Sequence, residues 1–150
     1  MRLILSAEHL AAIERHGEAA YPGEGAGLLL GVASGADVRV GAVEPLENRR
    51  EAGARHNRYE LSAQDYLQAE LDAARRGLSL VGVFHSHPDH PAAPSEFDRE
   101  HALPHFVYVI TSVQGGRAAD TRAWRLHEDR TAFEEGSLEV SQLTVSGGED

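Results

Sequence analysis

Apolar positions recur at helical spacing in two long stretches of the chain and at strand spacing in several others. From Ser6 to Ala20, Leu10, Ile13 and Ala20 fall on one stripe. Ser6 stands where a cap belongs and Pro22 enforces a stop, so a helix is predicted. Ser62 to Arg76 carries the stronger helical pattern. Ser62 and Asp65 have capping-box spacing, Tyr66, Leu67, Leu71 and Ala74 form an apolar face, and Gly77 ends it. Arg75 and Arg76 sit at the negative end of its dipole. Gly25 to Val32 and Asp37 to Val43 read as a hairpin joined by Ala33-Ser34-Gly35-Ala36, and Pro45 to Asn57, without periodicity, reads as a loop. Ser79 to His85 is a buried strand by pattern. Asp89 to Pro94 is a loop stiffened by Pro91 and Pro94, and Ser95 to Leu103 a short helix ended by Pro104. Phe106 to Ser112 and Thr121 to Leu126 are further strands turning at Gly115-Gly116, and Glu139 to Val145 is a last one.

This order of elements predicts an α/β sandwich with a mixed sheet. It lacks the regular βαβ repeat of a doubly wound parallel sheet. No repeat or linker divides the 150 residues, so one domain is expected over 1–145, followed by a polar tail at 146–150. A hydrophobic content of 41% with 25% charged residues belongs to a soluble globular chain, with no stretch long enough to span a membrane. The apolar start, Met1-Arg2-Leu3-Ile4-Leu5, is too short for a signal peptide, and a cytoplasmic location is expected. A net charge of −10 with scattered basic residues argues against a nucleic-acid partner. Zero cysteines exclude disulfides, thiol nucleophiles and thiolate metal sites.

The chemistry concentrates where the buried strand ends, at His85-Ser86-His87-Pro88, followed by Ser95 and Asp98. Side chains two apart on a strand share a face. Two imidazoles and a carboxylate then supply three of the four tetrahedral positions of zinc, leaving the fourth for water, as a catalytic site requires. Each half also has a structural reading, since His-x-His is common and Ser95-x-x-Asp98 is a helix capping box.

The combination resembles the signature of the JAMM (MPN+) metalloproteases: His-[Ser/Thr]-His-Pro, six residues, Ser, two residues, Asp. His85, Ser86, His87, Pro88, Ser95 and Asp98 match every defined position, with ten residues between His87 and Asp98. That family also carries an upstream glutamate in a segment like Tyr21-Pro22-Gly23-Glu24-Gly25-Ala26-Gly27-Leu28-Leu29-Leu30-Gly31. Ala26-Gly27 stands where members often have Cys-Gly, which touches no catalytic position. Glu47-Asn48, Arg58-Tyr59 and Ala123-Trp124-Arg125 are also similar to the family, so the resemblance spans residues 3 to 126.

The resemblance implies a single-domain, cytidine-deaminase-like fold, a mixed curved sheet flanked by helices. It implies one zinc ion per chain on His85, His87 and Asp98, with Glu24 as general base and acid and Ser95 as oxyanion donor. Alone, Glu24 reads as an exposed loop glutamate, and Ser95 as a cap. The implied substrate is a ubiquitin-like or sulfur-carrier protein, cut after its C-terminal Gly-Gly tail; no particular oligomer is implied. Two other readings stand beside this one. His85, His87, Asp89 and His90 also fit the His-x-His-x-Asp-His motif of metallo-β-lactamase-like hydrolases. An MPN domain can also serve as a non-catalytic scaffold, although such relatives are expected to lack ligands and none is missing here. A zinc deaminase in its usual form is excluded by the lack of cysteine.

Overall fold

The computed structural model describes residues 1–47 and 62–141. It contains seven strands and three helices among them: β1 (Arg2–Ser6), α1 (Ala7–Ala20), β2 (Ala26–Ser34), β3 (Asp37–Leu46), α2 (Ala63–Arg75), β4 (Ser79–Pro88), α3 (Glu96–His101), β5 (Val107–Gln114), β6 (Arg117–Leu126) and β7 (Phe133–Ser141). Pro45 and Leu46, expected to begin a loop, end β3, and the last strand begins at Phe133, earlier than the expected Glu139; the rest of that loop from residue 48, the Arg58-Tyr59 pair, residues 142–145 and the tail at 146–150 lie outside the described residues.

The strands follow the order β1-β3-β2-β4-β5-β6-β7, and β1 closes them into a barrel. β1 runs parallel to both β3 and β7, and β4 parallel to β5, while the other pairs are antiparallel. The mixed curved sheet expected from the sequence is present. Its closure is not evident in the sequence, because the five residues of β1 look like an unstructured apolar start. A strand needs only about five residues when both of its neighbours are supplied by distant parts of the chain. Leu3 and Leu5 are fully buried beside Ile13 of α1.

The two larger helices lie on different parts of the core. α1 begins at Ser6, whose hydroxyl accepts the His9 N–H, and adds Ile13 to a cluster with Leu29, Val40, Phe84 and Val109. α2 joins a second cluster with Leu28, Leu30, Val83 and Tyr108. Its capping box forms as the sequence predicted. Its buried face does not. Ala69 and Ala73 face the sheet, and Leu67 and Leu71 are 56% and 50% exposed. Small side chains at the contact let the helix lie close to the strands, and Tyr66 fills the margin against Phe106.

Two features of the hairpin and β4 orient the end of the donor strand. Leu29 pairs with Gly82 and Leu30 with Leu80, so Val81 is an extra residue in β4 and the alternation of faces shifts there. After the shift Phe84 packs in the α1 cluster and Val83 in the α2 cluster, and His85 and His87 follow Val83 by twos. At Gly27 a Cβ would come within 2.3 Å of the Phe84 ring, so only glycine lets that ring lie across β2.

Closure by β1 rests on its apolar face. Arg2 bridges Asp37 of β3 and Glu139 of β7, but all three side chains are 40% exposed or more, and such pairs contribute little. Leu5→Ala should therefore cost about 2–5 kcal/mol, and Arg2→Ala should move the urea midpoint far less. Equal shifts would show that the ion pairs hold the barrel closed.

Candidate metal centre and active site

β4 is buried from Val81 through His87, so its last side chains are delivered into the protein with little access to bulk water. His85 is 1% exposed and His87 6%. Their rings share a face, with centroids 5.0 Å apart. Ser95 caps α3, accepting the Asp98 N–H at 3.1 Å, while the Asp98 carboxylate accepts the Ser95 N–H at 2.8 Å. The same carboxylate reaches both imidazoles. Oδ2 lies 3.1 Å from His87 Nε2 and Oδ1 lies 3.5 Å from His85 Nε2. The capping box and the third donor, opposed readings in the sequence, are one carboxylate with two sets of partners.

Donor atoms of His85, His87 and Asp98 all lie within 4.8 Å of one another, and all three residues are buried. Two donors about 2.0–2.2 Å from a shared tetrahedral ion stand about 3.4 Å apart, close to the 3.1 and 3.5 Å found here. The His87 Nδ1–H donates to the Pro91 carbonyl at 2.9 Å. That fixes the tautomer and leaves Nε2 as the donor, as ligating histidines generally require. The set fits a divalent metal ion.

Without metal, the three groups titrate against one another. Burial pushes His85 down to about 4, against the pull of the Asp98 charge. Burial also works to lower His87, but the hydrogen bond and charge of Asp98 outweigh it and the net shift is upward. For Asp98, burial works upward, yet the charge of His85 and the hydrogen bonds from His87 and the Ser95 amide hold it well below the usual carboxylate range.

Glu24 stands in the connector between α1 and β2. It is 9% exposed, so the loop-glutamate reading fails on burial. It lines a cleft of about 480 Å³ together with His87, Pro88, His90, Pro91, Ala93, Pro94 and Ser95. Both sequence-predicted catalytic side chains and one of the three donors thus border the same space. Ser95 is spent on the cap only as an acceptor, so its O–H remains available to donate.

Ser86, between the two histidines, faces the other way and holds the Glu24 connector. Its N–H donates to the Gly25 carbonyl and its Oγ accepts the Gly25 N–H, each at 2.9 Å. Room for this comes from Gly17 of α1, where a Cβ would approach Ser86 Cβ to 3.0 Å. The cleft wall is pinned residue by residue. Ser112 donates to the His90 carbonyl at 2.6 Å, His87 to that of Pro91, and Trp124 Nε1 to that of Ala92 at 3.0 Å. Ser112 carried no signal in the sequence and Trp124 only its place in a family-like segment, because their role is to hold backbone. The lactamase-like set does not assemble. Asp89 turns its carboxylate to the Tyr21 hydroxyl and the Gly115 N–H, and among the described residues neither it nor His90 joins the donor cluster.

Residues 6–127 match the family described as prokaryotic homologs of the JAB domain. The chain belongs to that family. Within it, the chain is 33% identical over 121 residues to a desampylase of Haloferax volcanii, covering 79% of this chain and 86% of that one. It is 44% identical over 52 residues, 35% of each chain, to a probable TtuB-protein conjugate cleaving protease of Thermus thermophilus. A solution structure of a protein from Desulfitobacterium hafniense superposes with a TM-score of 0.81 at 26% identity over 94% of both chains. The JAB/MPN fold inferred from the sequence is therefore the fold of the protein.

The titration pattern gives a stability prediction for the metal-free protein. Folded, His85 stays neutral down to about pH 4, whereas unfolded it protonates near its ordinary 6.5. Between those values the unfolded chain binds more protons, so stability falls as the pH falls from 6.5 toward 4. His87 adds no slope there, being protonated in both states below 6.5; its contribution is lost as pH rises through its raised value. Urea unfolding of chelator-treated protein should show the slope, and His85→Gln should reduce it, the remainder coming from His9, which burial also holds below its ordinary value. An unchanged slope in that variant would contradict the assignment.

Proposed function

We propose that this JAB-family chain is a zinc metallopeptidase of the isopeptidase type. Its reaction is hydrolysis of the bond after the C-terminal Gly-Gly tail of a ubiquitin-like or sulfur-carrier protein. The observation that carries the reading is the shared cleft, bordered by Glu24, Ser95 and the His87 donor, with His85 and Asp98 behind it. The names of the two curated relatives, desampylase and TtuB-conjugate cleaving protease, support conjugates of small carrier proteins as substrates. No helix among the described residues is long and apolar enough to cross a membrane.

His85, His87 and Asp98 would hold one zinc ion, for which two imidazoles and a carboxylate are a suitable donor set. When bound, zinc supplies a Lewis acid for the scissile carbonyl and acidifies a water toward neutral pH. Glu24, buried at the cleft margin, takes the proton from the attacking water and passes it to the departing amine. Ser95 donates its hydroxyl hydrogen to the oxygen of the attacked carbonyl while still accepting the Asp98 N–H. His87 keeps its orientation through the Pro91 carbonyl. The cleft is walled largely by Pro88, Pro91, Ala93 and Pro94. Such a surface offers few flexible side chains and suits a thin, extended tail.

Three measurements test this. Purified protein should hold about one zinc per chain, and His87→Ala or Asp98→Ala should lose it; full zinc content in both variants would defeat the metal assignment. Glu24→Gln should keep zinc and lose about 10²-fold or more in turnover, with a comparable loss for Ser95→Ala. If Ser95→Ala merely loses stability, the residue is a helix cap and no more. Carriers extended beyond Gly-Gly should be cleaved and Ala-Ala controls spared. Equal cleavage of both would refute tail recognition while leaving the zinc chemistry intact.

A further inference from the structure

Glu24 belongs to no helix or strand; it sits in the five-residue connector from Tyr21 to Gly25. A general base needs a fixed distance to the proton it takes, and a misplacement of about 1 Å can cost about 10²-fold. Something must therefore hold this connector at both ends. The downstream end is held by the paired bonds between Gly25 and Ser86. At the upstream end the backbone is tied to α1, the Tyr21 N–H donating to the Glu18 carbonyl at 3.3 Å and the Gly23 N–H to that of Ala20 at 2.7 Å, and the Tyr21 side chain is held by Asp89.

Asp89 lies two residues past His87, at the point where β4 gives way to the cleft loop. Its backbone has a φ of 57°, in the left-handed region that a side-chain-bearing residue seldom adopts. Its N–H donates to the Val113 carbonyl at 2.7 Å. One carboxylate oxygen accepts the Tyr21 hydroxyl at 2.5 Å, and the other accepts the Gly115 N–H at 2.8 Å. Three segments thus meet on one side chain: the start of the Glu24 connector, the end of the ligand strand, and the β5–β6 turn. Uncommon backbone geometry persists when several contacts enforce it together, and it tends to gather where function needs fixed placement.

We propose that Asp89 and Tyr21 are positioning residues for Glu24, a clasp that sets its carboxylate against the donor end of β4. Ser86 and Asp89 flank His87 in the same strand end, so the element that presents the metal donors also places the base. Neither Tyr21 nor Asp89 belongs to the donor cluster or lines the cleft. The effect of the clasp is on turnover, with binding left alone. The inference rests on the role proposed above for Glu24, and its test includes a readout independent of that role.

Tyr21→Phe removes one hydroxyl and leaves the ring; Asp89→Gly removes both acceptor oxygens and tolerates the left-handed backbone. In zinc-loaded protein each should lower kcat about tenfold on a Gly-Gly conjugate, with KM within about twofold and zinc still at about one per chain. The double variant should be no slower than the slower single, because both remove the same link. Amide hydrogen exchange should speed up at Gly23 and Gly25 in each variant, while the middle of α1 stays as in the parent. Unchanged kcat with unchanged exchange in Tyr21→Phe would overturn the clasp, as would additive losses in the double variant. A general fall in stability with parental kcat would overturn it too, showing a structural contact only. If the parent protein cleaves no Gly-Gly conjugate, the functional reading fails, and the exchange measurement alone decides whether the clasp holds the connector.

Discussion

The sharing of the Asp98 carboxylate between a helix end and two imidazoles is the contact on which the arrangement of the site depends. One oxygen closes the capping box of α3 and approaches His87, and the other approaches His85. A six-residue helix is too short to be stable by itself; α3 is held at both ends, its first turn by the capping box and its last carbonyls, those of Glu100 and Ala102, by Arg130. Tying it down brings a buried carboxylate over the end of β4. Burying such a group without partners would be costly; here the amide of Ser95 and the paired rings satisfy it. Local folding and assembly of the donor set are thus one event.

The strand below is prepared for that meeting by its own irregularity. The extra residue at Val81 shifts the alternation so that His85 and His87 follow Val83 onto the face that α3 covers. Without it, the same sequence would turn Phe84 and Ser86 to α3 and the histidines to α1. Ser86 on the opposite face then takes up the Gly25 backbone, with Gly17 leaving the room. Both faces of the strand end are used, one for donors and the other for the segment bearing Glu24.

Much of this was legible in the sequence because it depends on short-range spacing. Strand periodicity put His85 and His87 together, capping-box spacing found Ser62 and Ser95, and the family-like segment singled out Glu24, which lines the same cleft as His87 and Ser95. What the sequence hid depends on long-range pairing or on backbone. β1 was read only as a short apolar start because its partners lie in β3 and β7. Leu67 and Leu71 looked like the buried face of α2 because hydropathy alone does not show that Ala69 and Ala73 permit a closer approach. Trp124 and Ser112 work through carbonyls of the cleft loop, and such contacts leave no residue-type pattern. Asp89 matched a second metal motif by composition, and only its three-dimensional partners separate it from the donors.

Closure of the barrel also bears on the order in which the protein can be made. Arg2 meets Glu139 across 137 positions of chain, and β1 cannot pair with β7 until residue 141 has left the ribosome. Until then β1 has only its three-residue pairing with β3, and unpaired strand edges are where nascent chains associate wrongly. The neighbours of β4 are β2 and β5, so every strand pairing of the donor strand is available once residue 114 has emerged. Synthesis therefore favours a chain whose catalytic end is organised first and whose barrel is sealed last.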